Sequence, residues 1–494
     1  MRRGGISRRA FLAGAGGAAV GGGLLAAAAC GGRDGGDDAA GARFVAFAGP
    51  HQAGITLEPA PATGLMASFS VVAGDRGELR DLLRELTDEI SGLMEGHPPE
   101  ARDPAYPPVD SGILGANPAP DNLTVVVSVG ASLFDDRYGL AARRPRELVQ
   151  MPFVSNDRLD PERSHGDLLI SIEAEHPDTA LSAIRQLMRR TRSTLVLRWV
   201  VDGYTRRGST APRSTGSPRN LMGFIDGTAN LHAESGSAMD RHVWVAEGDG
   251  EPGWAVGGSD HVVRVIRMFV EFWDRTPLAE QEAIMGRHKV SGAPLGMEHE
   301  TDVPDFASDP RGETTPLDAH IRLANPRTPE TAGNLILRRG FSYARGYDRA
   351  GRLDQGLAFV CYQRSLERGF LAVQARLNGE PLEEYILPEG GGFFFALPGA
   401  EPGFHLGEAL VASPGSTEWR ASAHLGDGQA PAGRGAGPGA ADHDGKAPPA
   451  GGGRRPAGTA RGPRSGVGRA PWDGPSGTEP SGRAARAHGR LNPA

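Results

Sequence analysis

The sequence MASFSVVA (residues 66–73), followed by RGELRDLLRELTDEISGLM (residues 76–94), decides the fold class. The first segment is short, apolar and rich in β-forming residues, so it predicts a strand. The second segment repeats leucine at helical intervals, so it predicts a helix with one apolar side. A strand that leads directly into a helix is the first unit of a mixed α and β fold.

The apolar segments that follow identify the arrangement. We predict strands at LTVVVSVG (123–130), DLLISIEA (167–174) and TLVLRWVVDGY (194–204), and a helix at DTALSAIRQLMRRT (178–191). In chain order these elements run β-α-β-β-α-β, which is typical of the ferredoxin-like fold.

The second part of the chain predicts another half of the same class. Strands are predicted at residues 261–273, 334–343, 356–363 and 391–398, and helices at residues 276–287 and 366–377. Two such halves are expected to pack with a cleft that suits a flat, largely apolar ligand. We therefore predict an α+β protein with an N-terminal domain at residues 43–215 and a C-terminal domain at residues 216–412.

Residues 1–42 are predicted to be an export signal and a linker. Arg8 and Arg9 precede a weakly apolar stretch of Ala, Gly and Leu, which resembles a twin-arginine signal. A membrane anchor is the alternative, although the stretch is too weakly apolar for a convincing span. Cys30 could carry a lipid, but simple cleavage near the preceding alanines fits equally well. An exported chain would be periplasmic, extracellular or associated with the cell envelope.

Residues 413–494 are predicted to be a disordered, low-complexity tail. Gly, Pro, Ala and Arg dominate this segment, and apolar periodicity is lost. Such a composition buries too little apolar surface to offset the entropy of ordering the chain. The bias resembles GC-rich DNA translated in an unselected frame, so a frameshifted end is one interpretation. A functional surface-binding tail is the other.

Charge and cysteine content exclude several classes of function. The 494 residues carry a net charge of −7, so no overall basic field predicts a nucleic-acid partner. Of the two cysteines, Cys361 lies in the apolar run LAFVCYQ, which predicts a buried strand and argues against a disulfide framework. The absence of CxxC also argues against a thiolate zinc site.

Asp226 is the first candidate functional residue, in the segment MGFIDGTAN (222–230). Gly223 and Gly227 on either side allow the backbone to turn sharply and to approach a bulky group closely. An ordinary Asp-Gly turn without any chemistry has the same pattern. The segment alone leaves both interpretations open.

His320 is the second candidate, in LDAHIRLANPRT (317–328), where we expect it to follow a strand and precede a polar turn. Histidine is a common ligand of metals. A lone histidine, however, is more often a surface residue or a satisfied core residue. Three other histidines compete for a ligand role on composition alone: His242, His261 and His288.

Arg338 and Arg339 are adjacent in the apolar segment LILRRGFSY (335–343). Neighbouring side chains of a strand point to opposite faces, so one of these arginines must face a core or a cleft. A buried arginine needs an anionic partner, which could be a bound ligand or a protein carboxylate. In GGGFFFALPG (390–399), the glycines and aromatic residues are compatible with close packing against a flat group or with ordinary core packing.

Taken together, these segments resemble the dye-decolourising (DyP-type) haem peroxidases, and most closely their exported bacterial branch, the deferrochelatases. The segment GFIDGTAN (223–230) matches the family signature GxxDG. Further matches in the same order are AHIRLANPRT (319–328), RRGFSY (338–343), CYQRSLERGFLAVQARLNGE (361–380) and GGGFFFALPG. The resemblance runs from about His51 to Pro398.

The resemblance implies two ferredoxin-like halves, similar to a dimeric α+β barrel, with one haem b in the cleft of the C-terminal half. It implies that His320 is the proximal iron ligand, that Asp226 is the distal acid–base residue and that Arg338 is the distal arginine. Glu380 would accept the other imidazole N–H and make His320 more electron-donating. The residues implied to line the haem are Gly227, Thr228, Ala229, Asn325, Pro326 and Arg327.

The family also implies partners and alternatives. Hydrogen peroxide and an organic reductant, such as a dye or a phenol, would be the substrates of a homodimer. Removal of iron from haem, together with iron-uptake proteins, is a second hypothesis, and a redox-inert haem-binding protein is a third. Asp226 with Arg338 favours the enzyme, because storage needs no distal acid–base pair. Gly340 stands where some relatives have an Asn, so that residue's contribution is absent.

Overall fold

The computed structural model describes residues 42–98, 102–206 and 216–412. These residues all fall within one unit, Met1–His424. The predicted export signal, Cys30 and the predicted tail lie outside the described residues. The domain boundary predicted at residues 215 and 216 adjoins a segment outside them, so it stays a prediction.

The described strands form one antiparallel sheet that closes on itself. They are β1 (Thr63–Val71), β2 (Thr124–Gly130), β3 (Leu168–Ala174), β4 (Leu195–Tyr204), β5 (Ser259–Met268), β6 (Leu337–Arg338), β7 (Phe341–Tyr347), β8 (Leu353–Gln363) and β9 (Ile386–Ala396). The first half has the order β4-β1-β3-β2 and the second β7-β8-β5-β9, with the short β6 beside β8. The halves join where β2 pairs with β9 and where β4 pairs with β7.

Both halves therefore share one strand order, in which the first long strand of each lies in the centre. This is the order expected of the ferredoxin-like pattern. The predicted α+β class, with two ferredoxin-like halves arranged like a dimeric α+β barrel, is confirmed.

Helices cover the sheet. They are α1 (Ala53–Thr56), α2 (Arg76–Met94), α3 (Pro177–Arg190), α4 (Gly236–His242), α5 (Val270–Trp273), α6 (Leu278–Met285), α7 (His320–Ala324), α8 (Ala372–Leu377) and α9 (Glu408–Val411). A π-helical turn, Glu367–Leu371, leads into α8. Helix α2 has the predicted bounds because Asp75 caps its first turn and its leucine side is buried. Among the described residues, none of the helices has the length and apolar character needed to cross a bilayer.

The interior of the closed sheet is largely apolar but contains a buried ion pair. Val263, Val265 and Val360 belong to the apolar cluster there. Arg339 follows β6, and its Nη2 lies 2.5 Å from Oε2 of Glu173 on β3, with side-chain exposures of 2% and 4%. This pair joins a residue of one half to a residue of the other. Cys361 on β8 is buried and free, as predicted.

Three local predictions are wrong. The strand predicted at residues 261–273 ends at Met268, because Phe269 N–H bonds to Tyr385 O and the chain turns into α5. The strand predicted at residues 334–343 is interrupted after Arg338 and resumes as β7. His320 does not follow a strand; it begins helix α7.

We expect Arg339→Leu to lower the free energy of unfolding by about 3–5 kcal/mol, because Glu173 would keep a buried charge without its partner. Urea denaturation measures this loss. The matched control is Arg311→Leu, which removes an ion pair whose side chains are 80% and 69% exposed. The control should change stability by less than about 0.5 kcal/mol. Equal losses of stability in the two variants would contradict the view that the buried pair of Arg339 and Glu173 stabilises the fold.

Candidate active site

A largely apolar cavity lies on the outer side of the second half of the sheet. Strand alternation places Val263 and Val265 inside the closed sheet, and the intervening Arg264 on the cavity side. The main apolar side chains of the cavity wall are Ile266, Met268, Leu357, Phe359, Phe370 and Val373. The walls thus suit a flat, apolar ligand.

His320 is the first residue of α7 and lines this cavity. Its Nδ1 lies 2.7 Å from Oε2 of Glu380, whose side chain is only 4% exposed. Burial lowers the pKa of His320, but the Glu380 carboxylate outweighs burial and raises that pKa above its usual value. Because Glu380 engages Nδ1, the ring atom available to a metal ion is Nε2.

Asp226 and Arg338 form an ion pair in the same cavity. Nη1 of Arg338 lies 2.5 Å from Oδ1 of Asp226, and about a third of each side chain is exposed. Burial raises the pKa of Asp226, but the charge and hydrogen bond of Arg338 outweigh burial and lower that pKa below its usual value. The charge of Asp226 in turn raises the pKa of Arg338. Both groups are therefore ionised at neutral pH.

The backbone of the segment 222–230 determines where Asp226 lies. Gly223 and Gly227 have φ values of +86° and +129°, which L-residues with side chains rarely adopt. The Asp226 N–H donates to Pro218 O over 2.8 Å. The two glycines that sequence reasoning singled out therefore allow the turn that presents Asp226 to the cavity.

Two further arginines line the cavity. Arg327 has a φ of +59°, an uncommon backbone conformation that often marks functional sites. Arg287 donates from Nη1 to the backbone oxygens of Gly292 and Glu300. Burial lowers the pKa of both arginines, and the charge of Arg327 lowers that of Arg287 further. An anionic group on a bound ligand would offset this cost.

The cavity brings together most of the residues singled out from the sequence. Besides His320, Asp226, Arg338 and Glu380, its lining includes Gly227, Thr228, Ala229, Asn325 and Arg327. Pro326 is not part of the lining. Sequence reasoning missed Arg287 and Asn230, although both lie in segments that it considered. Arg287 precedes His288 in GRHKVSG, and Asn230 ends MGFIDGTAN.

The competing histidines lie elsewhere. His261 is fully buried inside the closed sheet, where its Nδ1 bonds to Ser128 and its ring stacks on Tyr362. His288 pairs with Glu282, and His242 ends helix α4. Among the described histidines, only His320 lines the cavity.

Gly340 packs closely against strand β8. A Cβ atom at this position would lie 3.0 Å from Ala358 O and 3.5 Å from the Cα of Phe359. The Asn that some family members carry there would require the backbone of β8 to shift.

Comparison with known proteins identifies the family. Residues 52–205 match the family model described as Dyp-type peroxidase, N-terminal, and residues 217–401 match Dyp-type peroxidase, C-terminal. The chain belongs to the Dyp-type peroxidase family. It is thus a haem peroxidase, an oxidoreductase that uses hydrogen peroxide and a reductant.

Individual relatives agree with this assignment. The chain is 51% identical over 367 residues to a deferrochelatase of Escherichia coli O157:H7, covering 74% of this chain and 86% of the relative. The deferrochelatase of Escherichia coli K12 is 50% identical over the same length and coverage. The solved structure of ferric DtpA from Streptomyces lividans is 36% identical, with a TM-score of 0.67, covering 75% of this chain and 98% of that chain.

The residues present fit haem, the cofactor of this family. The apolar walls suit the porphyrin, and Nε2 of His320 can bind iron. Arg287 and Arg327, whose positive charges are partly buried, suit the carboxylates at the porphyrin edge.

We expect His320→Ala to abolish the haem absorbance band of the protein after reconstitution, because no other described histidine lines the cavity. Visible spectroscopy with a haem assay measures this. His288→Ala is the matched control, since His288 lies in an ion pair with Glu282, and it should retain haem. Unchanged haem content and an unchanged spectrum in His320→Ala would rule out His320 as the ligand.

Proposed function

We propose that His320 is the axial ligand of the haem iron and that Asp226 and Arg338 act together on hydrogen peroxide. The observation that carries this proposal is the ion pair between Asp226 and Arg338 in the cavity that also contains the His320–Glu380 pair. Gly227, Thr228 and Ala229, with Asn325 and Arg327, are proposed to surround the cofactor.

When bound, haem supplies a redox-active iron that accepts peroxide and holds its oxidising equivalents. Asp226 takes a proton from one oxygen of hydrogen peroxide and delivers it to the other, so that the O–O bond breaks with loss of water. Arg338 keeps the pKa of Asp226 low, so the carboxylate is ionised and able to accept the proton. The same low pKa makes Asp226 a weak base and a ready donor in the second step.

Arg338 stabilises the negative charge that develops on peroxide as the bond breaks. A guanidinium stays protonated at every relevant pH, and within a cavity its charge is weakly screened. Its ion pair with Asp226 fixes both groups in one place, so little reorganisation is needed during the reaction.

Glu380 supports the ligand from the other side of the imidazole ring. Its buried carboxylate accepts the hydrogen bond of His320 Nδ1, which fixes the tautomer and the ring orientation. The bond increases the electron donation of His320 to a bound metal. We propose that Glu380 thereby favours peroxide cleavage.

A second candidate function is the release of iron from haem, because relatives about half identical to this chain are deferrochelatases. Iron release leaves a metal-free porphyrin, whereas peroxidase turnover leaves haem intact and oxidises a reductant. Dye oxidation and porphyrin fluorescence, followed in one reaction, separate the two functions. The proposed partners are a dye-like or phenolic reductant and, for the second function, iron-uptake proteins; a homodimer stays a prediction.

We expect Arg338→Leu to retain haem but to slow the reaction with peroxide by about two or more orders of magnitude, the typical effect of losing one transition-state donor. Without Arg338, burial raises the pKa of Asp226, so the acid limb of the rate profile should move to higher pH. Stopped-flow spectroscopy measures both effects.

The control for this experiment is Arg352→Leu, which removes an arginine that is 57% exposed and pairs with Asp348 outside the cavity. It should leave the rate and the pH profile unchanged. An unchanged rate in Arg338→Leu, with haem bound, would refute the proposed role.

We propose that the chain is exported by the twin-arginine route. Replacing Arg8 and Arg9 together with Lys should keep the protein in the cytoplasm of an expressing bacterium, as cell fractionation and immunoblotting would show. Replacing Arg2 and Arg3 with Lys is the matched control and should leave export unchanged. Normal export of the first variant would contradict the proposal.

A further inference from the structure

We infer that Asn230 is a positioning residue, whose side chain holds the backbone of Arg338 so that the guanidinium stays against Asp226 in the geometry that peroxide cleavage requires. The inference rests on the proposed roles of Arg338 and Asp226. It adds a residue that neither the sequence pattern nor the proposed mechanism assigned.

Two hydrogen bonds carry the inference. Nδ2 of Asn230 donates to the backbone oxygen of Arg338 over 2.8 Å, and the backbone N–H of Arg338 donates to Oδ1 of Asn230 over 2.8 Å. The amide side chain thus binds both peptide groups of one residue, as a neighbouring antiparallel strand would.

The position of Arg338 explains why such a clamp is needed. Strand β6 has only two residues and pairs with β8 alone, through Leu337 opposite Tyr362 and Arg338 opposite Cys361. The N–H of the next residue, Arg339, donates to the backbone oxygen of Val360 on β8. The peptide groups of Arg338 point the other way, where no described strand pairs with them. Asn230 takes the place of that missing strand.

Asn230 also belongs to the loop that carries Asp226. The Asn230 N–H donates to Gly227 O over 2.9 Å, which closes the turn between the two residues. One loop therefore holds Arg338 at its backbone through Asn230 and at its guanidinium through Asp226. This arrangement fixes the distance between the two charged groups, and a displacement of about 1 Å can cost on the order of 100-fold in rate.

The test replaces Asn230 with Ala, which removes both bonds, and with Leu, which removes them at similar volume. Gln52→Ala is the matched control, because the Gln52 side chain binds the backbone of Val127 on β2 in the same way. The Val127 N–H donates to Oε1 of Gln52 over 2.8 Å, and Nε2 of Gln52 donates to Val127 O over 2.9 Å. All variants are compared with the haem-loaded wild type for haem content, thermal stability and the rate of reaction with hydrogen peroxide.

We expect the Asn230 variants to keep haem but to lose about tenfold or more in the second-order rate with peroxide. The acid limb of their rate profile with peroxide should move to higher pH, in the same direction as in Arg338→Leu. Gln52→Ala should lose thermal stability and keep the wild-type rate and pH profile.

A second measurement is independent of turnover. In the haem-free protein, hydrogen–deuterium exchange should become faster in the peptide that contains Arg338 when Asn230 is replaced, because the Arg338 N–H loses its acceptor. The peptide that contains Val127 should be unaffected, and the Gln52 variant should show the reverse pattern.

Three results would overturn the inference. If Arg338→Leu slows the reaction and the Asn230 variants do not, Asn230 has no positioning role while the proposed function stands. If Arg338→Leu itself leaves the rate unchanged, the proposed function fails and the inference fails with it. Exchange at Arg338 that is unchanged in the Asn230 variants would also overturn the clamp.

Discussion

Arg338 ends a short strand and Arg339 follows it, and the two side chains point to opposite sides of the sheet. Arg339 enters the closed interior and meets Glu173 of the other half, while Arg338 enters the cavity and meets Asp226. Removing one partner of a buried ion pair costs several kcal/mol, so the pair of Arg339 and Glu173 restricts where the end of β6 can lie. The contact that joins the two halves thus also helps to place the guanidinium of Arg338 in the cavity.

The local sequence pattern predicts most of the helices and strands, but it predicts only part of the arrangement of the two arginine ion pairs. Helix α2 was predictable because its leucines repeat at helical intervals and Asp75 caps it. Alternation showed that one arginine must face inward, but it could not identify Glu173, which lies 166 residues away in the chain. His320 became a ligand candidate through its family motif, whereas its place at the start of α7 depends on tertiary packing. The same holds for Asn230, whose role is visible only beside the unpaired side of β6.

Peroxidase chemistry and haem iron release make different demands on one cavity. Both need a haem site with an iron ligand, and we propose that His320 and the apolar walls supply it. Only O–O cleavage needs a proton carrier and a fixed positive charge at the same place, and we propose that the ion pair of Asp226 and Arg338 supplies both. The geometry therefore favours the peroxidase. Because Gly340 stands where some relatives have an Asn, the proposed pair would act here without that residue.

We propose that this cavity holds haem and directs peroxide cleavage. The most direct measurement is the visible spectrum of the wild-type protein, loaded with one equivalent of haem, before and after one equivalent of hydrogen peroxide and then a dye. We expect a rapid change of the haem band, its return when the dye is added, and loss of the dye colour. A haem band that does not respond to peroxide, or a metal-free porphyrin spectrum without dye oxidation, would contradict it.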